Sequence, residues 1–324
     1  MNFFLPFTIP PSPFKISYDS KVLLIGSCFS REIGDRMASS KFNVVQNPNG
    51  ILYNPASIES AISSYIANKI YKEDELIEAD GIYHSFQHHS SFSGLRKTEI
   101  LDRINNSQKN VHHFLKNADV LIITFGTAYC YQWGESGDIV ANCHKFPGQN
   151  FQKIFLEIST IENDYLKLID DLKAFNPALK IVFTISPVKH IRDGVVENSQ
   201  SKARLIESVH HIITNSQNTF YFPAYELVTD VLRDYRFFKP DLVHPNATAT
   251  DFVFQKFCES FLEPETVSLQ KEVSAIMEMV NHRPLFRESI SHRRLIASLI
   301  IKIERLESLF PWIDFSKEKL LLID

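Results

Sequence analysis

No two of the four cysteines, at 28, 130, 143 and 258, stand in a C-x-x-C arrangement. That argues against a structural zinc site and against a disulfide framework, and a reducing, cytoplasmic setting is expected. A basic stripe is missing too. Lys and Arg number 34 against 38 Asp and Glu, a formal net charge of -4, so nucleic acid is not an expected partner. No apolar run is long enough to span a bilayer, and no membrane partner is expected. The first twelve residues are apolar but hold Pro6, Pro10 and Pro11 and no basic residue. They therefore lack the charged start and unbroken apolar stretch of a secretory signal. Gly26 lacks the further glycines of a G-x-G-x-x-G fingerprint, with only Gly34 nearby, which weakens a dinucleotide-binding reading. There is no internal repeat and no low-complexity tract. What is abundant is hydrophobic: 44% of 324 residues, including 26 Phe, enough for a thick core or an apolar cleft.

Five short apolar runs predict buried strands at 22–25, 43–45, 120–125, 181–185 and 220–222. Their near-continuous hydrophobicity favours parallel strands covered on both faces. Helical spacing recurs between them. It is seen in Phe29, Ile33 and Met37, in Ile154, Phe155, Ile158, Ile161, Tyr165, Leu166 and Ile169, and in Ala203, Ile206, Val209 and Ile213. This alternation predicts a doubly wound α/β sheet, whose ligands sit beyond the carboxyl ends of the strands. Residues 55–117 form a long insertion, read either as a lid or substrate wall or as a surface helical pair. It contains the polar stretch His84-Ser85-Phe86-Gln87-His88-His89-Ser90. Residues 1–263 are expected to form the main domain and 264–324 a helical extension. That extension reads as two amphipathic helices, 267–280 and 289–309, interrupted at Arg283-Pro284. The second carries Arg287, Arg293, Arg294, Lys302 and Arg305 on a face read as solvated.

The chemistry concentrates at two places. The first predicted strand runs into Gly26-Ser27-Cys28, and the chain later reads Asp241-Leu242-Val243-His244-Pro245. A small residue at a strand-to-helix turn faces backbone N–H groups able to hold an oxyanion, and the helix start favours a thiolate at Cys28. His244 can deprotonate such a nucleophile while Asp241 fixes its tautomer. Without that partner pair, Cys28 reads as a small buried hydrophobe and Ser27 as a helix cap.

Gly26-Ser27-Cys28-Phe29-Ser30 resembles the signature of the GSCFA-domain family, a branch of the SGNH (GDSL-like) hydrolase superfamily. Similar pieces follow in order: Asn47-Pro48-Asn49-Gly50-Ile51-Leu52-Tyr53-Asn54-Pro55, Phe125-Gly126-Thr127-Ala128-Tyr129, Asn142-Cys143-His144-Lys145, Ser186-Pro187-Val188-Lys189-His190-Ile191-Arg192-Asp193-Gly194 and Arg233-Asp234-Tyr235-Arg236-Phe237. The resemblance implies a three-layer α/β/α, flavodoxin-like parallel sheet of about five strands with a helical carboxyl-terminal extension. It implies acyl transfer to water from an ester or thioester through a covalent acyl-enzyme, without metal or organic cofactor. The substrate would be a small-molecule or glycan-linked ester. Laid on the superfamily's first block, Cys28 takes the nucleophile position, with Ser27 as rival and His244 and Asp241 completing a triad. Gly50 takes the second-block oxyanion position. The third block, Gly-x-Asn, falls on Gly126-Thr127-Ala128, so its Asn is absent; Asn142 or His144 can reach in as a substitute donor, or Asn142-Cys143-His144 is simply a polar turn. Ser186, Lys189, His190 and Arg192 follow the fourth predicted strand and should rim the same cleft, where Lys189 and Arg192 suit an anionic substrate or read equally as a solvated loop. The same site fits an acyltransferase, and the missing Asn leaves a catalytically silent binding module as the rival from another class.

Overall fold

A computed structural model describes residues 5–134, 136–282, 285–286 and 288–323. They fall into two compact units. One comprises residues up to 9, 21–34 and 44–255; the other comprises 10–20, 35–43 and 256–324.

In the first unit the chain runs through strands β1 (Lys21–Gly26), β2 (Asn43–Gln46), β3 (Ile77–Ala79), β4 (Ile82–His84), β5 (Val120–Phe125), β6 (Tyr129–Trp133), β7 (Ile139–Val140), β8 (Phe151–Phe155), β9 (Lys180–Ile185) and β10 (Thr219–Tyr221). Five of them form the central sheet in the order β10-β9-β5-β1-β2. This is the doubly wound arrangement in which the first strand lies inside the second. Its core pairs are parallel: Leu23 lies beside Leu121, and Leu121 beside Ile181. All five strands predicted from apolar runs are these five.

Alternation along the strands explains why the runs are continuous. Leu23, Ile25, Leu121, Ile123, Phe125, Ile181, Phe183 and Ile185 share one core cluster. Val22, Leu24, Val120, Ile122 and Val182 take the alternate positions and are buried as well. Helices α2 (Pro55–Ile66), α3 (Lys97–Lys116), α4 (Ile158–Phe175) and α5 (Val195–Thr214) cover the first face. Asn54 starts α2 by accepting the Ser57 N–H at 2.8 Å, with Pro55 in the first turn.

The insertion at 55–117 is neither lid nor surface pair. Ile58, Ile62 and Tyr65 of α2, with Val111 and Leu115 of α3, lie in the sheet's own core. Tyr71, Ile100 and Ile104 form a separate small cluster, against which Tyr83 of β4 packs. A second sheet, of order β7-β6-β8, was not predicted. Ile154 and Phe155 belong to β8, so the helical stripe begins later, at Ile161, Tyr165, Leu168, Ile169 and Leu172. The buried face of α5 is Ser201, Lys202, Leu205, Ser208, Val209 and Ile212, turned from the predicted stripe, and Ala203 is exposed.

In the second unit, α8 (Pro264–Asn281), α9 (Ile290–Leu309) and α10 (Ser316–Ile323) bury Leu269, Val273, Ile276, Leu299, Ile303 and Leu306. A 2.7 Å ion pair joins Lys41 to Glu318. Arg293, Arg294, Lys302 and Arg305 are exposed, and Arg305 pairs with Glu272, which fits a solvated face. Arg283, Pro284 and Arg287 lie outside the described residues. Among the described residues no helix is long and apolar enough to cross a membrane.

Candidate active site

The site starts where β1 must leave the sheet. Gly26 has φ +137°, and a Cβ there would lie 2.2 Å from the Thr124 carbonyl oxygen on the neighbouring strand, so only glycine fits. Its N–H donates to Asn47 Oδ1 at 2.9 Å and its carbonyl accepts the Leu52 N–H at 3.0 Å. The chain then enters helix α1 (Cys28–Ser39). Ser27 caps that helix: fully buried, its hydroxyl accepts the Phe29 N–H at 3.3 Å. Cys28 is the first helical residue, only partly buried, and it lines a pocket of about 220 Å³. Of the two neighbours considered as nucleophiles, only Cys28 lines that pocket.

Asp241 and His244 line the same pocket. They sit in a tight turn after the last sheet strand, in which Leu242 has φ +59°. Lys239 donates its N–H to the His244 carbonyl at 2.7 Å. Asp241 Oδ1 accepts the N–H groups of Val243 and His244 at 2.9 and 3.0 Å, while Oδ2 lies 2.8 Å from His244 Nδ1. One carboxylate thus folds the loop and orients the ring. These hydrogen bonds hold the Asp241 carboxyl down at about 2, so it is ionised at any working pH. With Nδ1 committed to the carboxylate, Nε2 is the ring nitrogen left for chemistry.

Cys28 corrects one expectation. Burial pushes its thiol above the ordinary range, outweighing Arg31, its own backbone N–H and Lys202, which pull it down. A helix start alone does not make this sulfur a thiolate; it needs a base.

Around the turn, Gly126 and Thr127 both give their N–H to the Tyr53 carbonyl, at 2.8 and 3.0 Å. The Thr127 hydroxyl lies 3.1 Å from Ser201 Oγ. Ala128 is fully buried and donates its N–H to Ser201 Oγ at 2.7 Å. The Gly50 N–H is spent on the Asn47 carbonyl at 2.7 Å. Gly50, Gly126 and Thr127 therefore offer no free backbone donor for an oxyanion. Gly50 has φ +78°, and a Cβ there would meet His89 at 2.2 Å, so its role is in the turn.

Asn142 and His144 do not line the pocket. His144 donates through Nε2–H to the Ser85 carbonyl at 2.7 Å, which fixes the Nε2–H tautomer, and its backbone N–H donates to Asn142 Oδ1 at 2.9 Å. Its ring lies against that of His84, with centroids 4.6 Å apart. These residues tie the 84–92 loop to the small sheet. Lys189 sits over the Tyr235 and Phe238 rings at 4.2 and 4.3 Å, and Arg192 lies in an exposed turn, so neither of these cations lines the pocket. The pocket's cations are Arg31 and Lys239, which the motifs did not single out, and Lys239 faces Glu32 at 3.5 Å.

His190 does not line the pocket either, but it packs beside Gly126, just past the end of β5. Its Nε2 is buried without a hydrogen-bond partner, 3.1 Å from where a Gly126 Cβ would be, and its ring meets Tyr53 edge-on at 5.6 Å. Burial, with Lys202 and His244, holds it down at about 3, so it is a neutral ring. Lys202 went unnoticed in the sequence. It is fully buried, and its ammonium donates to the carbonyls of Gly126 and Ser186 at 2.6 and 2.7 Å. Among the described residues no cluster of His, Cys, Asp and Glu is arranged to hold a metal ion.

The sequence profile of the GSCFA family matches residues 21–257, and that of the GSCFA domain protein, C-terminal domain, matches 273–322. The chain belongs to the GSCFA family. No curated protein matches this GSCFA chain. Among solved structures, it is similar to a carbohydrate esterase family 3 protein from Talaromyces cellulolyticus, at 11% identity over 78% of this chain and 99% of that one, with a TM-score of 0.36. It is also similar to a family 3 carbohydrate esterase of Clostridium thermocellum, at 10% identity over 78% and 98%, TM-score 0.34. The acetyl xylan esterase Est2A of Butyrivibrio proteoclasticus matches at 10% identity over 75% and 64%, TM-score 0.37. The sheet order and register within the GSCFA chain itself carry the fold assignment.

Proposed function

We propose that this GSCFA protein is an acyl hydrolase that cleaves a carboxylic ester or thioester through an acyl-enzyme on Cys28. The supporting observation is one pocket lined by Cys28 and by a His244 whose Nδ1 is bound to Asp241. His244 Nε2 takes the thiol proton as the sulfur bonds to the substrate carbonyl carbon. The tetrahedral oxyanion collapses, its bond to the leaving oxygen or sulfur breaks, and His244 returns the proton to the leaving group. Water then attacks the thioester with His244 again as base, the carbon–sulfur bond breaks as His244 returns that proton to the Cys28 sulfur, and the acid departs.

The Cys28 N–H, at the first position of α1, has no intrahelical acceptor and approaches its own sulfur, so it is one oxyanion donor. His190 is the second, in place of the absent Asn: its ring is neutral and its Nε2 lacks a partner beside Gly126. A pocket of about 220 Å³ suits a short acyl group, being smaller than the roughly 300–1,000 Å³ typical of drug-sized ligands. Transfer to an alcohol or amine in place of water would use the same acyl-enzyme.

The test is steady-state turnover of aryl esters and thioesters of increasing acyl length. Activity should fall with chain length and be lost in Cys28→Ala and His244→Ala. Full activity in Cys28→Ala would refute the assignment. A second reading has its own support, since Gly50, Thr127, Asn142 and His144 supply no oxyanion donor. On that reading the pocket binds a ligand without turning it over, and short-chain acids or esters would bind saturably while no ester is cleaved.

A further inference from the structure

We propose that Lys189 is a positioning residue for His244: its ammonium, held against the Tyr235 and Phe238 rings, clamps the Asp241–His244 turn to the loop after β9. The proposal rests on His244 being the base, but the clamp itself is measured without turnover.

The turn has little else to hold it in place. The Asp241 and His244 side chains are 47% and 42% exposed, and Leu242 is 51% exposed. A segment with few buried apolar contacts opens easily. Its hydrogen bonds are largely its own. Besides the Lys239 bond to the His244 carbonyl, the Leu242 N–H donates to the Lys239 carbonyl and the Asn246 N–H to the Phe237 carbonyl, both at 2.9 Å, and Phe238 bridges Pro245. These bonds give residues 237–246 a shape without fastening it to the sheet. At the far end Asn246 caps the helix Ala247–Phe261, its Oδ1 accepting the Ala249 N–H at 3.1 Å. The Lys239–Glu32 contact is 3.5 Å between partly exposed groups, and such a surface pair contributes little.

Lys189 supplies the missing tie. Its N–H donates to the Val243 carbonyl at 3.2 Å, and its Nζ lies 4.2 and 4.3 Å from the centroids of the Tyr235 and Phe238 rings. Those rings are tilted by 49° with centroids 5.6 Å apart, and they stand just ahead of the turn in the chain. Among the described residues no carboxylate pairs with Lys189, so its charge is satisfied on two ring faces. The lysine's own backbone is well anchored. Val188 before it is buried and lines the pocket, and His190 after it donates its N–H to Asn198 Oδ1 at 2.8 Å. One residue thus joins the pocket wall to the turn that carries the base. A base misplaced by about 1 Å costs on the order of 10²-fold in rate, so this tie bears on catalysis without touching substrate.

The experiment combines amide hydrogen exchange with steady-state kinetics on Lys189→Met, which keeps the apolar stem and removes the charge. Exchange at Leu242, Val243 and His244 should quicken about tenfold, while exchange in β5 and β9 stays as in wild type. The kcat for a neutral short-chain aryl ester should fall about tenfold or more with KM little changed, and Lys189→Arg should recover most of both effects. Unmoved exchange, or an unmoved kcat, in folded Lys189→Met would overturn the proposal. A rise in KM confined to anionic esters would overturn it too, by making Lys189 a substrate contact. Tyr235→Leu, at a ring 60% exposed, is the second variant should Lys189→Met not fold, and it should quicken the same amides. Where both variants fold, its effect should shrink in the Lys189→Met background, and additive effects would overturn the clamp. If wild type cleaves no ester, the acyl-hydrolase reading fails, and the exchange results still decide the clamp.

Discussion

Cys28 and Ser27 are adjacent, and what separates them is direction. The cap hydroxyl faces its own helix and is fully buried, while the thiol faces the pocket. Ser27→Ala should cost about 1 kcal/mol through the lost cap, read as a lower denaturation midpoint, with turnover retained by the folded fraction. His190→Ala should lower kcat by about 10²–10³-fold with KM little changed, as for loss of one oxyanion donor. His190→Asn should restore part of it. An unchanged kcat in His190→Ala would remove His190 from the mechanism. The proposed nucleophile and its proposed base were legible because each stands in a short motif with its own chemistry. Lys202 was not. A lysine within a helix normally reads as solvated, and the stripe was phased on Ala203, Ile206, Val209 and Ile213. Val209 is buried, but in place of the other three the buried residues are Lys202, Leu205 and Ile212, each one position earlier than predicted. A single-residue shift turns a helix by about a quarter turn, and this one hid the lysine on the wrong side.

At the scale of elements, β1, β5 and β9 were readable because both their faces are covered, so they are nearly apolar throughout; β2, at the sheet edge, was expected to be buried but is exposed or half-buried from Asn43 to Gln46. The small sheet was not readable. β6 is Tyr129-Cys130-Tyr131-Gln132-Trp133, with one fully buried position, and the apolar end of β8 merges with the start of α4. The lid reading of 55–117 failed for a related reason. A helix that covers a sheet and a surface helix are equally amphipathic, and only packing tells them apart. Two elements carry predictions. Gly26→Ala should fail to fold or lose most of its stability, because the new Cβ meets the Thr124 carbonyl at 2.2 Å and rigid backbone cannot yield. The 239–245 turn should respond to acid. Asp241 is depressed in the folded chain, so its hold on the turn is complete above the ordinary carboxylate range and is lost as pH falls through about 2. Amide exchange at Val243 and His244 should stay slow down to that range. In Asp241→Asn it should be fast at neutral pH, with turnover lost.

For the whole molecule, two neutral imidazoles set the acid limb of stability. His88, 1% exposed and bound through Nδ1 to Ser85 Oγ at 2.8 Å, is lowered from 6.5 to about 3, and His190 is lowered likewise. The unfolded chain binds these protons first. Stability is therefore full above about 6.5 and declines as pH falls toward about 3, with a slope of roughly 1.4 kcal/mol per pH unit for each ring. Denaturant titrations across that window should show the decline, and His88→Phe should flatten it. A profile that stays level below pH 6 would contradict the neutral burial of these rings.

The central claim is that Cys28 carries the acyl group. It is tested most directly by intact-mass and peptide analysis after rapid mixing of the protein with a short-chain aryl ester or thioester. A transient adduct of one acyl mass is predicted on the Cys28 peptide, cleaved by hydroxylamine, absent in Cys28→Ala, and long-lived in His244→Ala once that variant has been acylated with an activated thioester. An adduct on Ser27, or turnover with Cys28 replaced, would contradict the account.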